Sequence, residues 1–166
     1  MFEKGNFILY GTVGVCQVNE ISKTDFSNND KLYYYLTPKF EPNRTICIPV
    51  DTDKVMMRDI MTKEEAESFV MSWPDVKCKK YASDRERPQI YKQILQSGSC
   101  LELAAMIKEI SHMEISRKGK GRLLTIREKD GVKAARKLLF GELAAALDIF
   151  PDAVPDYIHE LTGYIC

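Results

Sequence analysis

The chain has 166 residues, with 24 Lys and Arg against 24 Asp and Glu for a formal net charge of zero, and a hydrophobic fraction of 45% that suffices for packed cores in one large unit or two small ones. No run approaches the roughly 20 apolar residues that a membrane-crossing helix needs, and residues 1–5 show no basic stretch leading into an apolar segment, so the expected address is cytoplasmic, with no membrane partner. Five cysteines at 16, 47, 78, 100 and 166 form no Cys-x-x-Cys pair, and only His112 and His159 could join them; that argues against zinc and for reduced thiols, several of them buried.

The first sixty residues alternate β-branched and aromatic runs with turn formers, which predicts short strands. Residues 7–10 end at Gly11. Residues 13–21 follow, with Gly14 suggesting a bulge or sharp bend, and residues 25–30 make a polar loop. A third strand covers residues 31–36. Residues 38–42, bounded by two prolines, cannot continue a ladder, and residues 44–50 supply a fourth strand. Four or five short strands in so little chain predict an SH3- or Tudor-like β-barrel over residues 1–59.

The period then changes from two to about 3.6, and residues 60–166 are expected to form an all-α domain of about five helices, giving an α+β chain overall. Four Ser/Thr-x-x-Glu signatures, at Thr62, Ser83, Ser99 and Thr125, each mark a helix start, because the hydroxyl accepts from a first-turn amide and the Glu reaches back to the cap. Pro88 leaves open a later start for the second helix. Gly98 stops it, and residues 118–121 form a basic glycine-containing loop after the third. In the fourth helix Val132, Ala135, Leu138, Leu139, Leu143 and Leu147 make an apolar stripe. A last short helix starts near Asp152 or Pro155 and ends at Gly163. Trp73 precedes Pro74 and reads as a packing residue.

The zero net charge hides a segregation. Residues 77–137 hold sixteen Lys and Arg against seven Asp and Glu, whereas residues 138–166 hold five acids and no Lys or Arg. Solvated helix faces commonly carry such charge, so composition alone leaves nucleic-acid binding near even odds. The excess gathers at helix starts and the loops before them, where amides and cations can both meet phosphate oxygens, and that favours binding. Enzyme signatures are missing: there is no dinucleotide or phosphate-binding glycine loop, no nucleophile elbow and no His-Glu-x-x-His. No catalytic residue, cofactor, metal site or small-molecule substrate is therefore expected.

The sequence resembles the CarD/CdnL family of bacterial RNA polymerase-binding transcription regulators, whose barrel is similar to the polymerase-interacting domain of transcription-repair coupling factor. In the first part the resemblance rests on Phe2, Lys4 and Gly5, Tyr10, Gly14 and Val15, residues 33–36, residues 46–50, and Met57, Arg58 and Asp59. In the helical part it rests on residues 97–99, Leu124 and Thr125, Glu128 and Lys129, Ala135 and Arg136, and residues 139–143. The resemblance implies a barrel that offers an edge strand to the polymerase β subunit and a helical domain that contacts promoter DNA, largely without reading sequence. Arg44, Thr45, Ile46, Cys47 and Ile48 are the implied polymerase-binding strand, and Cys47 stands where family members can carry a basic contact, with Lys23 and Arg44 as alternative sources of charge. Lys129, flanked by Arg127 and Lys133, is the leading DNA-binding candidate, followed by Arg85, Arg87 and Lys92. Well-studied members place a tryptophan wedge at the start of the second helix; this chain has Asp84 near that position, which implies a weaker or differently placed DNA contact.

Two other classes stay open at this point. In a protein-only adaptor the barrel binds polymerase while the basic helices stay solvated, and a polymerase pull-down without a DNA footprint would identify it. In a Tudor-like RNA-binding protein residues 1–59 would bind single-stranded RNA, although their aromatic residues lack clustered basic neighbours.

Overall fold

The computed structural model describes residues 1–23, 31–78 and 83–166. The polar loop expected at 25–30 and the basic Lys79 and Lys80 lie outside the described residues. Strands β1 (Phe7–Tyr10), β2 (Gly14–Lys23), β3 (Leu32–Pro38), β4 (Ile46–Pro49) and β5 (Met57–Asp59) form a barrel-like antiparallel sheet in the order β4-β3-β2-β1-β5. Of the bulge or sharp bend expected at Gly14, the chain makes the bend. Gly14 opens β2 with φ of 105°, closing the turn from Gly11, and the irregularity in register lies farther on, between Val18 and Glu20. A left-handed turn needs residues without a Cβ at this point: one built on Gly11, at φ 46°, would stand 2.6 Å from the Val55 side chain.

Strand alternation divides the sheet between two cores, because successive side chains leave opposite faces. Ile8 joins Cys16, Val18, Tyr34, Leu36 and Ile48 in the barrel interior. Its neighbour Leu9 points the other way and, with Val15, enters the larger core built by the helices. The barrel and helices therefore share buried surface.

The helices are α1 (Lys63–Met71), α2 (Arg87–Ser97), α3 (Cys100–Lys118), α4 (Ile126–Leu147) and α5 (Val154–Thr162), with short 3-10 turns at Trp73–Asp75 and Pro151–Ala153. Thr62 and Thr125 each close a full capping box with Glu65 and Glu128. Ser99 caps α3 through the Glu102 amide, while the Glu102 carboxylate accepts from the Ser97 hydroxyl. Ser83 does not cap α2: with Pro88 in its first turn, the helix takes the later start at Arg87 and its N-cap is Glu86. Gly98 ends α2 in the left-handed conformation, pressed so close to Met56 that a side chain there would collide. On α4, Ala135, Leu138, Leu139, Leu143 and Leu147 are buried as the stripe requires, and Val132 is half-buried. Trp73 is fully buried, edge-on to Phe69 with centroids 6.2 Å apart, and is a core residue. Among the described residues no helix is long and apolar enough to cross a membrane.

The junction of the two parts is held by a buried ion pair. Arg58 of β5 grips Glu142 of α4 in bidentate fashion, with Nη1 to Oε1 at 2.6 Å and Nη2 to Oε2 at 2.7 Å. Arg58 Nη2 also donates to the Gly98 carbonyl, and the Met61 amide donates to Glu142 Oε1. Glu142 is fully buried, so each oxygen needs these partners; the same carboxylate, after burial itself, drives the neighbouring Cys100 thiol up to about 12, leaving it neutral.

Candidate polymerase and nucleic-acid surfaces

The strand proposed for a partner is at the sheet's end. β4 pairs with β3 along one side, from Leu36 opposite Ile46 to Tyr33 opposite Pro49, and it is a terminal strand whose other side has no strand beside it among the described residues. A terminal strand presents main-chain amides and carbonyls at a spacing that a second strand can match. Arg44, Thr45 and Cys47 are exposed and Ile46 is half-buried, but Ile48 points into the barrel, so its side chain is not part of this surface. Arg44 Nη1 is 3.9 Å from Glu41, a loose exposed contact that holds the guanidinium weakly. Lys23 is exposed and lies opposite Leu32, at the end of the sheet where β4 finishes, while Arg44 precedes the start of β4. These two cations flank β4 at opposite ends and do not form one cluster.

The basic middle of the chain divides into cations that the fold consumes and cations that it leaves exposed. Lys108 is buried, and its ammonium donates to the carbonyls of Trp73, Pro74 and Val76 at 3.0, 3.2 and 2.7 Å; it ties down the chain after α1, and burial pushes its pKa down. Arg117 donates to Glu128 at 2.6 Å. Arg87, expected on the DNA surface, also turns inward: it lies 2.8 Å from Asp84, 3.4 Å from Glu109 and 4.0 Å from Glu128. Its guanidinium spans three carboxylates and is poorly placed to meet a phosphate. Burial pushes Glu128 up, but the Arg117 guanidinium and the Thr125 amide and hydroxyl outweigh it, holding that carboxyl below its usual range.

The exposed cations number several of the expected residues. Arg85, Lys92, Arg127, Lys129 and Lys133 all reach solvent, and none has an ion pair among the described residues. Turning 100° per residue sets Lys129 and Lys133 about 40° apart around α4, while Arg127 lies about 160° from Lys129. The contacts agree: Arg127 joins Lys92 and Tyr91 along a groove of about 740 Å³ between α2 and α4. Lys133 instead borders a smaller cleft of about 430 Å³ with Arg136, Lys137 and Phe40, where α4 meets the loop after β3. The six expected DNA contacts thus occupy more than one face of the helical part.

The sequence marks residues 118–121 as a basic loop before α4, but it gives no sign of the exposed apolar side chains that follow it. Lys120 and Arg122 are exposed there without an ion pair among the described residues, beside the large apolar side chains Leu123 and Ile126, which are 72% and 78% exposed. Apolar residues beside a capping box are ordinarily expected to pack against the core, so their type alone does not signal exposure. Leu124 takes that inward role and is buried in the helical core.

Residues 2–61 match the CarD-like/TRCF RID domain family, and residues 70–159 match the CarD C-terminal domain family. No curated protein matches the chain.

Proposed function

From the premise that this chain belongs to the CarD family and is an RNA polymerase-interacting transcription regulator, we propose that residues 1–59 dock on the polymerase β subunit along β4 while residues 60–166 hold promoter DNA. Arg44, Thr45, Ile46 and Cys47 would form the docking edge, with main-chain pairing supplying affinity and the exposed alternate side chains supplying selectivity. Lys129 and Lys133, with Arg127, Lys92 and Arg85 on adjoining faces, would neutralise phosphates without reading bases. Sequence specificity then comes from the polymerase and from DNA shape.

The observation that carries this reading is the sorting of charge on α4. The helix buries Glu142 against the barrel and Glu128 against Arg117, and presents Lys129 and Lys133 to solvent near the Glu128 end. A rigid connection between a docking edge and a weak phosphate-binding end is what bridging requires, because polymerase contact then raises the local concentration of the DNA-binding end at the promoter.

The test uses the full chain, since Leu9 and Val15 share a core with the helices. Capture of the polymerase β subunit should be lost when Cys47→Pro removes a main-chain donor from β4, and weakened by Arg44→Glu. Capture that survives both changes would refute docking along β4; polymerase capture with no DNA footprint at low salt would identify a protein-only adaptor.

A further inference from the structure

We propose that the cleft between the barrel and α4 is a binding site for a small organic carboxylate with a flat apolar body, held by Arg136 and Lys133. The cleft measures about 430 Å³, within the roughly 300–1,000 Å³ that small-molecule sites occupy. Its walls come from separate stretches of chain: Val13 before β2, Phe40 in the loop after β3, Phe140 of α4, and Pro151 and Pro155 at the approach to α5. The site is independent of the polymerase and DNA contacts proposed above, apart from sharing Lys133.

The apolar wall is left uncovered by the chain itself. Phe40 is 40% exposed, and Gly141 of α4 has no side chain to meet it. A Cβ built on Gly141 would stand 3.8 Å from Phe40 Cε2, so a longer side chain there would take up the gap. Lys133, Arg136 and Phe140 follow one another at steps of three and four residues, which brings two cations and an aromatic ring to one side of α4. A flat apolar body in the gap would withdraw Phe40 and the proline rings from water.

The cations of the cleft divide by partner. Lys137 donates to Glu41 at 2.6 Å and holds that carboxyl below its usual range, and Arg44 lies 3.9 Å from the same group. Arg136 and Lys133 have no ion pair among the described residues. Arg136 is the sharper case, because its Nε is buried with no hydrogen-bond partner. A guanidinium N–H withdrawn from water without an acceptor costs free energy, and folded proteins leave few such groups unpaired. The neighbouring Cys166 thiol supplies no counter-charge, since burial pushes it up to about 11 against the pull of Arg136 and Lys108.

Asp152 is the remaining acid, exposed and bordering the same cleft. Two free cations against one acid suit a monoanion better than a polyphosphate. A carboxylate fits that charge and the guanidinium together: it is planar, its two oxygens match two N–H donors, and rotation of the half-buried Arg136 side chain on contact can bring Nε into the pair.

The probe is 2-naphthoate, titrated into the full-length protein without DNA and followed by calorimetry. It should saturate one site per chain. The uncharged 2-naphthalenemethanol should bind about tenfold more weakly, and Arg136→Gln should lose about tenfold for the carboxylate, because each removes a charge-assisted hydrogen bond. Phe40→Ser should weaken both ligands about fivefold by removing an aromatic contact. Lys129→Ala, outside the cleft, should bind like the parent. The site is overturned if 2-naphthoate shows no saturable binding, if the alcohol binds as tightly, or if Lys129→Ala weakens binding as much as Arg136→Gln, which would mark diffuse attraction to a basic helix. Folding of each variant is read from its thermal unfolding; where Arg136→Gln does not fold, Phe40→Ser decides, and parental affinity in that variant overturns the site.

Discussion

The two ends of α4 treat charge in opposite ways. Toward its C-terminal end Glu142 is fully buried, doubly bonded to Arg58 and supported by the Met61 amide, so the charge serves the architecture and is unavailable to a partner. At the start of the helix Arg127, Lys129 and Lys133 lie in water, and only Glu128 is drawn inward. What separates the two ends is partnering, because a buried carboxylate must be satisfied within the molecule whereas a solvated ammonium is already satisfied by water and can exchange that water for phosphate. Charge counts along a sequence therefore overstate a binding surface wherever cations such as Lys108, Arg87 and Arg117 are consumed by the fold.

This contrast can be broken by substitution. The largest effect should come from Glu142→Ala, which strands the Arg58 guanidinium at the junction. The loss is expected to be about 2–4 kcal/mol, below the full cost of breaking a buried pair because Arg58 is 35% exposed. Chemical denaturation checks it, and a loss under ~1 kcal/mol would show that the junction does not depend on the pair.

Thr125→Ala should cost about 1 kcal/mol by removing the hydroxyl that accepts the Glu128 amide and donates to its carboxylate. The pH dependence of stability sharpens the same point. Glu128 has a folded pKa held below its unfolded value, so its contribution is present above the unfolded value near 4.5 and is lost as pH falls through the lower folded value. Glu128→Gln should flatten the acid limb of the stability curve below about pH 4.5 relative to the parent. An unchanged acid limb would mean that the carboxylate is not held as described.

The smallest stability effect belongs to Lys129→Ala, expected within about 0.5 kcal/mol of the parent because the side chain is exposed and no ion pair is lost among the described residues. The comparison between the two ends fails if Lys129→Ala destabilises as strongly as Glu142→Ala.

Much of this molecule was legible in its sequence. Four strands and the caps at Thr62, Ser99 and Thr125 came from patterns of period two and from hydroxyl–Glu spacing, both of which report local physics. At Ser83 the later of the two starts left open by Pro88 is the one the chain takes, because proline fits a helix's first turn and α2 begins at Arg87. β5 is only three residues long, too short for a period to register, and the bulge went to Val18 and Glu20, where no glycine marks it. For the surfaces, residue type was a fair guide and pairing was not. Lys129 and Lys133 are exposed as a basic residue usually is, but Arg87 meets Glu109 and Glu128 from two other helices, contacts that depend on tertiary packing. The Arg58–Glu142 pair spans 84 positions and could not be read from local spacing at all.

The most direct test of the bridging account is the salt dependence of duplex binding by the full-length protein and by Lys129→Ala, measured by titration across a range of salt. The account predicts that the parent's affinity falls steeply as salt rises, that Lys129→Ala binds more weakly whatever the DNA sequence, and that its salt slope is smaller by about one. Binding that is indifferent to salt, or a variant with the parent's affinity and slope, would contradict the claim that the exposed start of α4 holds DNA through phosphates.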